Sequence, residues 1–285
     1  MRLFLLPVST RRTLLYAQRL SITTKEQAKG SYADKATSFA ARTWAGWEKK
    51  ESGWQRKVTD YGNHALRRIA FQEWGLKSVP PLSARRQQEE LQDGGKVELV
   101  FPGTVIPPDT AEAVAHMLST ERQALHRKRM LWCFVGMPIT IPFALVPVIP
   151  NLPFFYLVYR AWSHYRALAG GKHIQWLIKN KLLISSPSKT LDQLYSANAH
   201  RLADADRPAA KERVLLTHEQ IRSFSDTLAV PGLETELDRA VWQVQQELEK
   251  EESQKKEADA IKATAQEEKP DSKDSATSAD DKKSQ

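Results

Sequence analysis

Residues 136–155 read GMPITIPFALVPVIPNLPFF. They carry no formal charge and include five prolines, Pro138, Pro142, Pro147, Pro150 and Pro153. The stretch sits inside a longer uncharged run, residues 130–159, whose length of about 30 residues exceeds the roughly 20 that one transmembrane helix needs. One continuous helix is excluded, because each internal proline removes a backbone donor and clashes with the preceding turn. Three of the prolines crowd around Asn151 in VPVIPNLP, which marks a turn. The run is therefore expected to form a proline-broken membrane helical hairpin with arms at residues 130–146 and 154–168. At about 1.5 Å per residue each arm reaches roughly 22–25 Å, a little short of the ~30 Å hydrocarbon core.

Charge supports the hairpin. Arg127, Lys128 and Arg129 precede the first arm, and Arg160, Arg166 and Lys172 lie in or after the second. Basic flanks stay on the side of synthesis or import, so both ends are expected in one compartment. Tyr156, Tyr159 and Trp162 stand where an interfacial aromatic belt lies, and Arg160 can extend its head group to the interface. A buried helix pair in a soluble core is the competing reading; the length of the run and its lack of polar alternation favour the membrane. The prolines themselves have two readings. Either they shape a short re-entrant turn, or they free carbonyls that line an ion path, as the broken helices of transporters do. The residues concerned are Pro138, Pro142, Pro147, Pro150, Asn151 and Pro153, and shape is the simpler reading.

Upstream, residues 1–28 form a basic, targeting-like segment. The first 25 residues hold no acid, carry Arg2, Arg11, Arg12, Arg19 and Lys25, and are rich in Ser and Thr, which is the signature of a mitochondrial transit segment. Residues 29–80 are expected to be a long Trp-rich amphipathic helix: Trp44, Trp47, Trp54, Tyr61 and Ile69 recur at helical spacings with basic residues between them. Gly53 and Gly62 weaken it, and Pro80-Pro81 stop it. Such a helix suits a headgroup layer, which makes Trp44, Trp47 and Trp54, with Tyr159, Arg160 and Trp162, the lipid-interface candidates. Residues 81–129 read as a polar connector, a short strand in KVELVF and a helix capped near Asp109 or Thr110. Downstream of the run, residues 169–250 read as a helical matrix-side region, with Gly170-Gly171 as a break and Thr217 to Gln220 as a capping box. Residues 251–285 contain almost no large apolar residue and are expected to be disordered. The fold class is thus mainly α: the amphipathic helix, the membrane hairpin, C-terminal helices and a disordered tail.

The whole chain has 285 residues, a net charge of +8 and one cysteine, Cys133, so an internal disulfide framework is excluded. From Glu249 onward there are about 11 acids against about 8 bases, so the positive excess lies upstream and points to anionic lipid. The 7 histidines show no metal-ligand spacing, and surface or capping roles are expected for them. No phosphate-binding glycine loop and no nucleophile elbow occurs. No catalytic residue, cofactor or metal is expected, an enzyme is the least supported class, and no nucleic-acid partner is expected.

The stretch GWEKKESGWQRKVTDYGNHALRRIAFQEWGLKSVPPLSARR, residues 46–86, resembles the fungal mitochondrial K+/H+ exchange-related family. The likeness rests on Gly53-Trp54, Lys57-Val58-Thr59, Tyr61-Gly62-Asn63 and Glu73-Trp74-Gly75-Leu76-Lys77-Ser78. It implies a mitochondrial inner-membrane protein needed to exchange matrix K+ for protons, and hence for matrix volume. No ion-binding residue is carried over with the resemblance. A proton-moving exchanger places an ionisable group in its membrane path, and residues 130–159 hold none. The chain is therefore expected to be a component or regulator of an exchange system, with anionic inner-membrane lipids, other subunits and copies of itself as partners. The alternative is a membrane-organising or anchoring scaffold without a transport role.

Overall fold

Leu3, Phe4, Leu5 and Leu6 are completely or almost completely buried. In the computed structural model, which describes residues 1–18, 32–92, 96–142, 151–197 and 211–267, they belong to strand β1 (Arg2–Pro7). A tight turn carrying Arg11 and Arg12 leads into β2 (Thr13–Gln18), which pairs antiparallel with β1. Side chains alternate across a strand. Leu3 and Leu5 therefore face one side with their partners Ala17 and Leu15, while Phe4 and Leu6 face the other with Tyr16 and Leu14. A strand covered on both faces reads as an unbroken apolar run rather than an alternation. Residues 2–18 of the expected targeting-like segment are core strands in the structure, and their arginines sit at strand ends and in the turn. Residues 19–28 of that expected segment lie outside the described residues.

The strand expected in KVELVF is present as β3 (Val97–Phe101). It lies parallel to β1 on one side and to β4 (Leu183–Pro187) on the other, giving the order β2-β1-β3-β4. The first strand in sequence is thus interior to the sheet. The architecture is mainly helical around this small mixed sheet.

Between β2 and β3 lie α1 (Tyr32–Glu48), α2 (Trp54–Arg67), α3 (Phe71–Ser78) and α4 (Ala84–Gln92). The single long helix expected over residues 29–80 is therefore three helices. One break falls at Gly53, whose φ of 104° is left-handed backbone that favours glycine. Between β3 and β4 run α5 (Ala111–Thr120), α6 (Gln123–Thr140) and α7 (Leu152–Lys179). After β4 come α8 (Lys189–Ser196), α9 (His218–Leu228), which begins at the expected capping box, and α10 (Pro231–Glu267). Gln220 accepts the Thr217 N–H through Oε1 at 3.2 Å.

Gly170-Gly171 do not break α7. A Cβ on Gly170 would lie 2.0 Å from the Leu76 carbonyl oxygen, and one on Gly75 would lie 2.1 Å from that of Leu15. The missing side chains let α7 lie directly on α3, and α3 directly on β2. Leu76 of α3 and Val79 just after it, Ala111 and Ala115 of α5, and Ala167, Ile174 and Leu177 of α7 complete this core layer with Leu3, Leu5, Leu99 and Phe101. On the α8 side, Tyr195 meets Phe224 edge-on at 5.2 Å and donates to the Pro7 carbonyl at 2.8 Å.

The chain forms two units, Met1–Val244 and Gln245–Gln285. The described part of the second is an exposed helix with an Lys256–Glu252 ion pair at 3.7 Å. The expected disorder from residue 251 is corrected as far as Glu267: a chain rich in Ala, Lys and Glu builds no core yet supports a helix by propensity and i,i+4 pairing. Residues 268–285 lie outside the described residues.

The two helices expected of the hairpin are present as α6 and α7, packed on each other; the bend, residues 143–150, lies outside the described residues. Among the described residues no helix is long and apolar enough to cross a membrane. The uncharged part of α6 before Thr140 spans about 17 Å and that of α7 before Arg160 about 12 Å at 1.5 Å per residue. One face of the rest of the expected second arm is protein core, with Arg160, Ala161, Ser163, His164, Ala167 and Leu168 all buried, while Trp162 and Tyr165 are exposed.

Deleting residues 2–18 removes an interior strand and its hairpin partner. The expected result is loss of the cooperative thermal transition followed by circular dichroism; an unchanged Tm would return the segment to the role of a removable leader.

Candidate functional site

Glu73 and Lys77 stand four residues apart in QEWGLKS, one turn of α3, and so share a helix face. Both are buried, and the face is turned toward α7. A carboxylate in such a place must be paired or it will neutralise. Arg160 of α7 meets it with both arms, NH1 to Oε1 at 2.8 Å and NH2 to Oε2 at 3.2 Å. Ser163 Oγ donates to Oε1 at 2.5 Å. Planar guanidinium on planar carboxylate gives two directed bonds, the strongest ion-pair geometry available to side chains.

Two histidines close the cluster. Arg160 NH2 lies 3.1 Å from His164 Nε2, and His164 Nδ1 lies 3.0 Å from His126 Nδ1 on α6. Arginine has only donors, so His164 Nε2 accepts. Neutral His164 then carries its proton on Nδ1 and donates to His126 Nδ1. His126 in turn carries its proton on Nε2, a buried atom without a hydrogen-bond partner among the described residues. The network assigns both tautomers and leaves one buried donor unmatched.

Electrostatics agree with this state. Burial raises the Glu73 pKa, but the hydrogen bonds from Arg160 and Ser163 and the nearby positive charge outweigh it and hold the carboxyl below its ordinary value. Burial lowers both histidines against the pull of Glu73, and the neighbouring arginines add to the lowering; His164 falls to about 4. The cluster near neutral pH is therefore one anion, one cation and two neutral imidazoles.

Lys77 lies beside this group in an aromatic box. Its Nζ sits 3.4 Å from the Trp74 ring centroid, 5.3 Å from that of Tyr159 and 5.5 Å from that of Trp162, and donates to Tyr159 OH at 3.3 Å. Burial draws its pKa down to about 8 and pushes Tyr159 up to about 12.

Glu73 Oε2 lies 3.6 Å from His164 Nδ1 and 4.0 Å from His126 Nδ1, a spacing that a divalent cation could bridge. Arg160 argues against it. Its guanidinium occupies both Glu73 oxygens, and a His164 ligating through Nδ1 would turn an Nε2–H toward an arginine N–H. The cluster is a hydrogen-bonded network, not a ligand set.

Above the cluster the hairpin runs outward with its helices antiparallel. Gly136 sits against Leu157. Asn151 caps α7 by accepting the Phe154 N–H at 3.1 Å and reaches across to donate to the Thr140 carbonyl at 2.6 Å. Pro153 falls in the first turn of α7, where its missing N–H costs nothing. Pro138 lies inside α6 and is exposed, as is Pro142 just beyond its end. Pro147 and Pro150 lie outside the described residues. The surface here is apolar: Leu131 and Ile139 are 64% and 69% exposed, and Trp132, Phe134 and Phe155 are similarly open. Arg127, Lys128 and Arg129, all exposed, ring its base.

The interface candidates are redistributed. Trp44 donates to Asn63 Oδ1 at 3.2 Å, and Trp47 meets Trp54 edge-on at 5.3 Å, so these rings join α1 to α2; Trp54 remains half-exposed. Tyr159 and Trp162 border the Lys77 box. Arg160 does not extend to an interface; it is committed to Glu73. The expectation of surface or capping roles for the histidines is corrected for His126 and His164, and for His173, which is buried between the Pro80 carbonyl at 2.8 Å and Glu90 at 3.0 Å. Sequence reasoning missed Glu73, Lys77, His126, Ser163 and His164. The available signal was Arg160 and His164 at i,i+4, polar groups on one face just past an apolar run.

A sequence family described as mitochondrial K+-H+ exchange-related matches residues 2–178, a span that holds every residue of the cluster. A protein of Saccharomyces cerevisiae described as uncharacterized is 23% identical over 277 residues, covering 86% of this chain and 85% of its own length. An uncharacterized protein of Schizosaccharomyces pombe is 30% identical over 171 residues, covering 60% of this chain and 72% of its own. No solved structure matches the chain.

Replacing Glu73 with Gln leaves Arg160 buried without its counter-charge and is expected to cost about 3–5 kcal/mol in urea unfolding. The pH dependence has a definite sign. Unfolded His164 takes up a proton below about pH 6.5, whereas the folded residue does so only near pH 4. Stability therefore falls as pH drops through that window, by at most about 1.4 kcal/mol per unit for one group. His164→Gln is expected to flatten this slope.

Proposed function

Because the chain belongs to the mitochondrial K+-H+ exchange-related family, we propose that it is a component or regulator of K+/H+ exchange at the mitochondrial inner membrane, controlling matrix cation content and volume. The observation that carries this reading is the exposed apolar end of the α6–α7 hairpin above a basic ring. A contiguous apolar patch of this kind on a folded protein marks a membrane or protein contact. The described uncharged part of α6 alone reaches about 17 Å, roughly half a hydrocarbon core, which suits insertion into the bilayer as a wedge. Arg127, Lys128 and Arg129 then meet anionic headgroups, each worth about 1 kcal/mol near such a surface. A hairpin that enters and leaves by the same face keeps both flanks in one compartment, which we take to be the matrix.

Among the described residues no helix is long and apolar enough to cross a membrane, and the uncharged run holds no ionisable group to carry a proton. The chain therefore works with other subunits or with copies of itself, and we assign it no catalytic reaction. A pure anchoring scaffold would use the same wedge. What favours the exchange role over it is the buried ionisable cluster at the root of the hairpin, since a passive anchor has no need of buried charge.

The reading is tested in two arms. Purified wild type should float with cardiolipin-containing vesicles, less at high salt, while Leu131→Glu with Ile139→Glu should stay at the bottom of the gradient. Mitochondria lacking the protein should show altered swelling in potassium acetate. Flotation with normal swelling would leave the scaffold; K+/H+ flux in liposomes holding only this chain would make it a complete carrier and overturn the accessory role.

A further inference from the structure

We propose that the His126–His164 pair, with Glu73 beside it, is a proton-binding site whose occupancy sets how α6 packs on α7. The inference rests on the exchange reading above and deepens it, by naming the group through which the chain meets the proton.

The geometry determines where a proton can go. One proton already fills the 3.0 Å gap between the two Nδ1 atoms, and the lone pair on His164 Nε2 is held by Arg160. A second proton on either Nδ1 sets two N–H groups head to head, so the imidazole pair must part. An acceptor stands ready: Glu73 Oε2 is 3.6 Å from His164 Nδ1 and 4.0 Å from His126 Nδ1. The proton arrives from solvent, the N–H···N bond between the rings breaks, and an N–H···O bond to the carboxylate forms. No electron moves, and the cluster gains one positive charge.

Every element packed here bears on that charge. Glu73 favours it. Arg122 at the N-cap of α6, Arg129 on α6 and Arg160 on α7 oppose it, and Lys77 of α3 stands beside the same Glu73. Tyr159 of α7 and the Glu236–Arg239 pair of α10 lie on the Lys77 side. Uptake therefore requires the rings to move rather than merely to charge in place. His126 and Cys133 are the buried residues of α6. They lie two turns apart on one face, so a shift at His126 changes how α6 seats along α7, and with it the pose of the apolar wedge.

Cys133, the one cysteine of the chain, reports this seating without labelling. Burial raises its pKa. Below the pKa of both thiols, the thiolates of Cys133 and of free glutathione each fall tenfold per pH unit. The ratio of their rates with an aromatic disulfide reagent is then flat with pH unless packing changes. For the full-length wild type the ratio is expected to rise by about tenfold as pH falls from about 6.5 to about 4, the window in which the folded pair, held below the ordinary imidazole range by burial, takes up its proton. In the same sample, two imidazole carbon resonances should titrate with the same midpoint. His126→Gln and His164→Gln should each hold the ratio flat. A flat ratio in wild type, a rise that persists in both variants, or a rise whose midpoint differs from the imidazole titration would overturn the proposal. Stoichiometric zinc binding lost in His164→Gln would replace the proton by a metal and also overturn it. If the variants abolish the rise yet leave potassium-acetate swelling normal, the proton site stands and the exchange reading falls.

Discussion

The ion pair between Glu73 and Arg160 is the constraint around which the helical layer is arranged. Two opposite charges removed from water are tolerable only with directed, fully matched bonding. Arg160 can reach Glu73 only if α7 lies close on α3, which requires Gly170 against the Leu76 backbone. α3 in turn reaches the sheet only through Gly75 against Leu15. The motif EWGLK thus carries the anion, the glycine that seats its helix and the lysine beside it in five residues. Removing a charge or adding a methyl group acts on the same joint.

That joint also divides the hairpin in two. At and just below Arg160 the facing sides of α6 and α7 bring together the buried polar groups His126, Ser163 and His164. Above it their surfaces are apolar and open. One helix therefore supplies the floor of an ionisable cluster and a wall of a wedge, so a change in the cluster's charge has a short mechanical route to the apolar end. A wedge on a separate linker would have no such route.

The prolines find their place in this division. Asn151 and Pro153 build the start of α7, one as its cap and the other in the turn that needs no donor. Pro138 rides within α6 and Pro142 follows it, both on the open surface. They lie away from the ionisable groups, which gather at the root. The described prolines thus lie apart from the ionisable groups; Pro147 and Pro150 lie outside the described residues.

How much of this was legible depends on the range over which each feature is encoded. The helix start at Asn151, the capping box at Thr217, the strand in KVELVF and the family likeness are written in a few adjacent residues, because backbone dihedrals and local periodicity respond to near neighbours. The strand β1 was hidden: LFLL is apolar on both faces, so it shows no alternation, and its flanking arginines copy a transit segment. The cluster was hidden for a different reason. Glu73 and Arg160 are 87 residues apart, and His126 and His164 are 38 apart. Each alone reads as a surface charge or a cap. Only the packing of α3, α6 and α7 removes water from all of them together, and it is that shared loss of water that turns ordinary side chains into a coupled buried site.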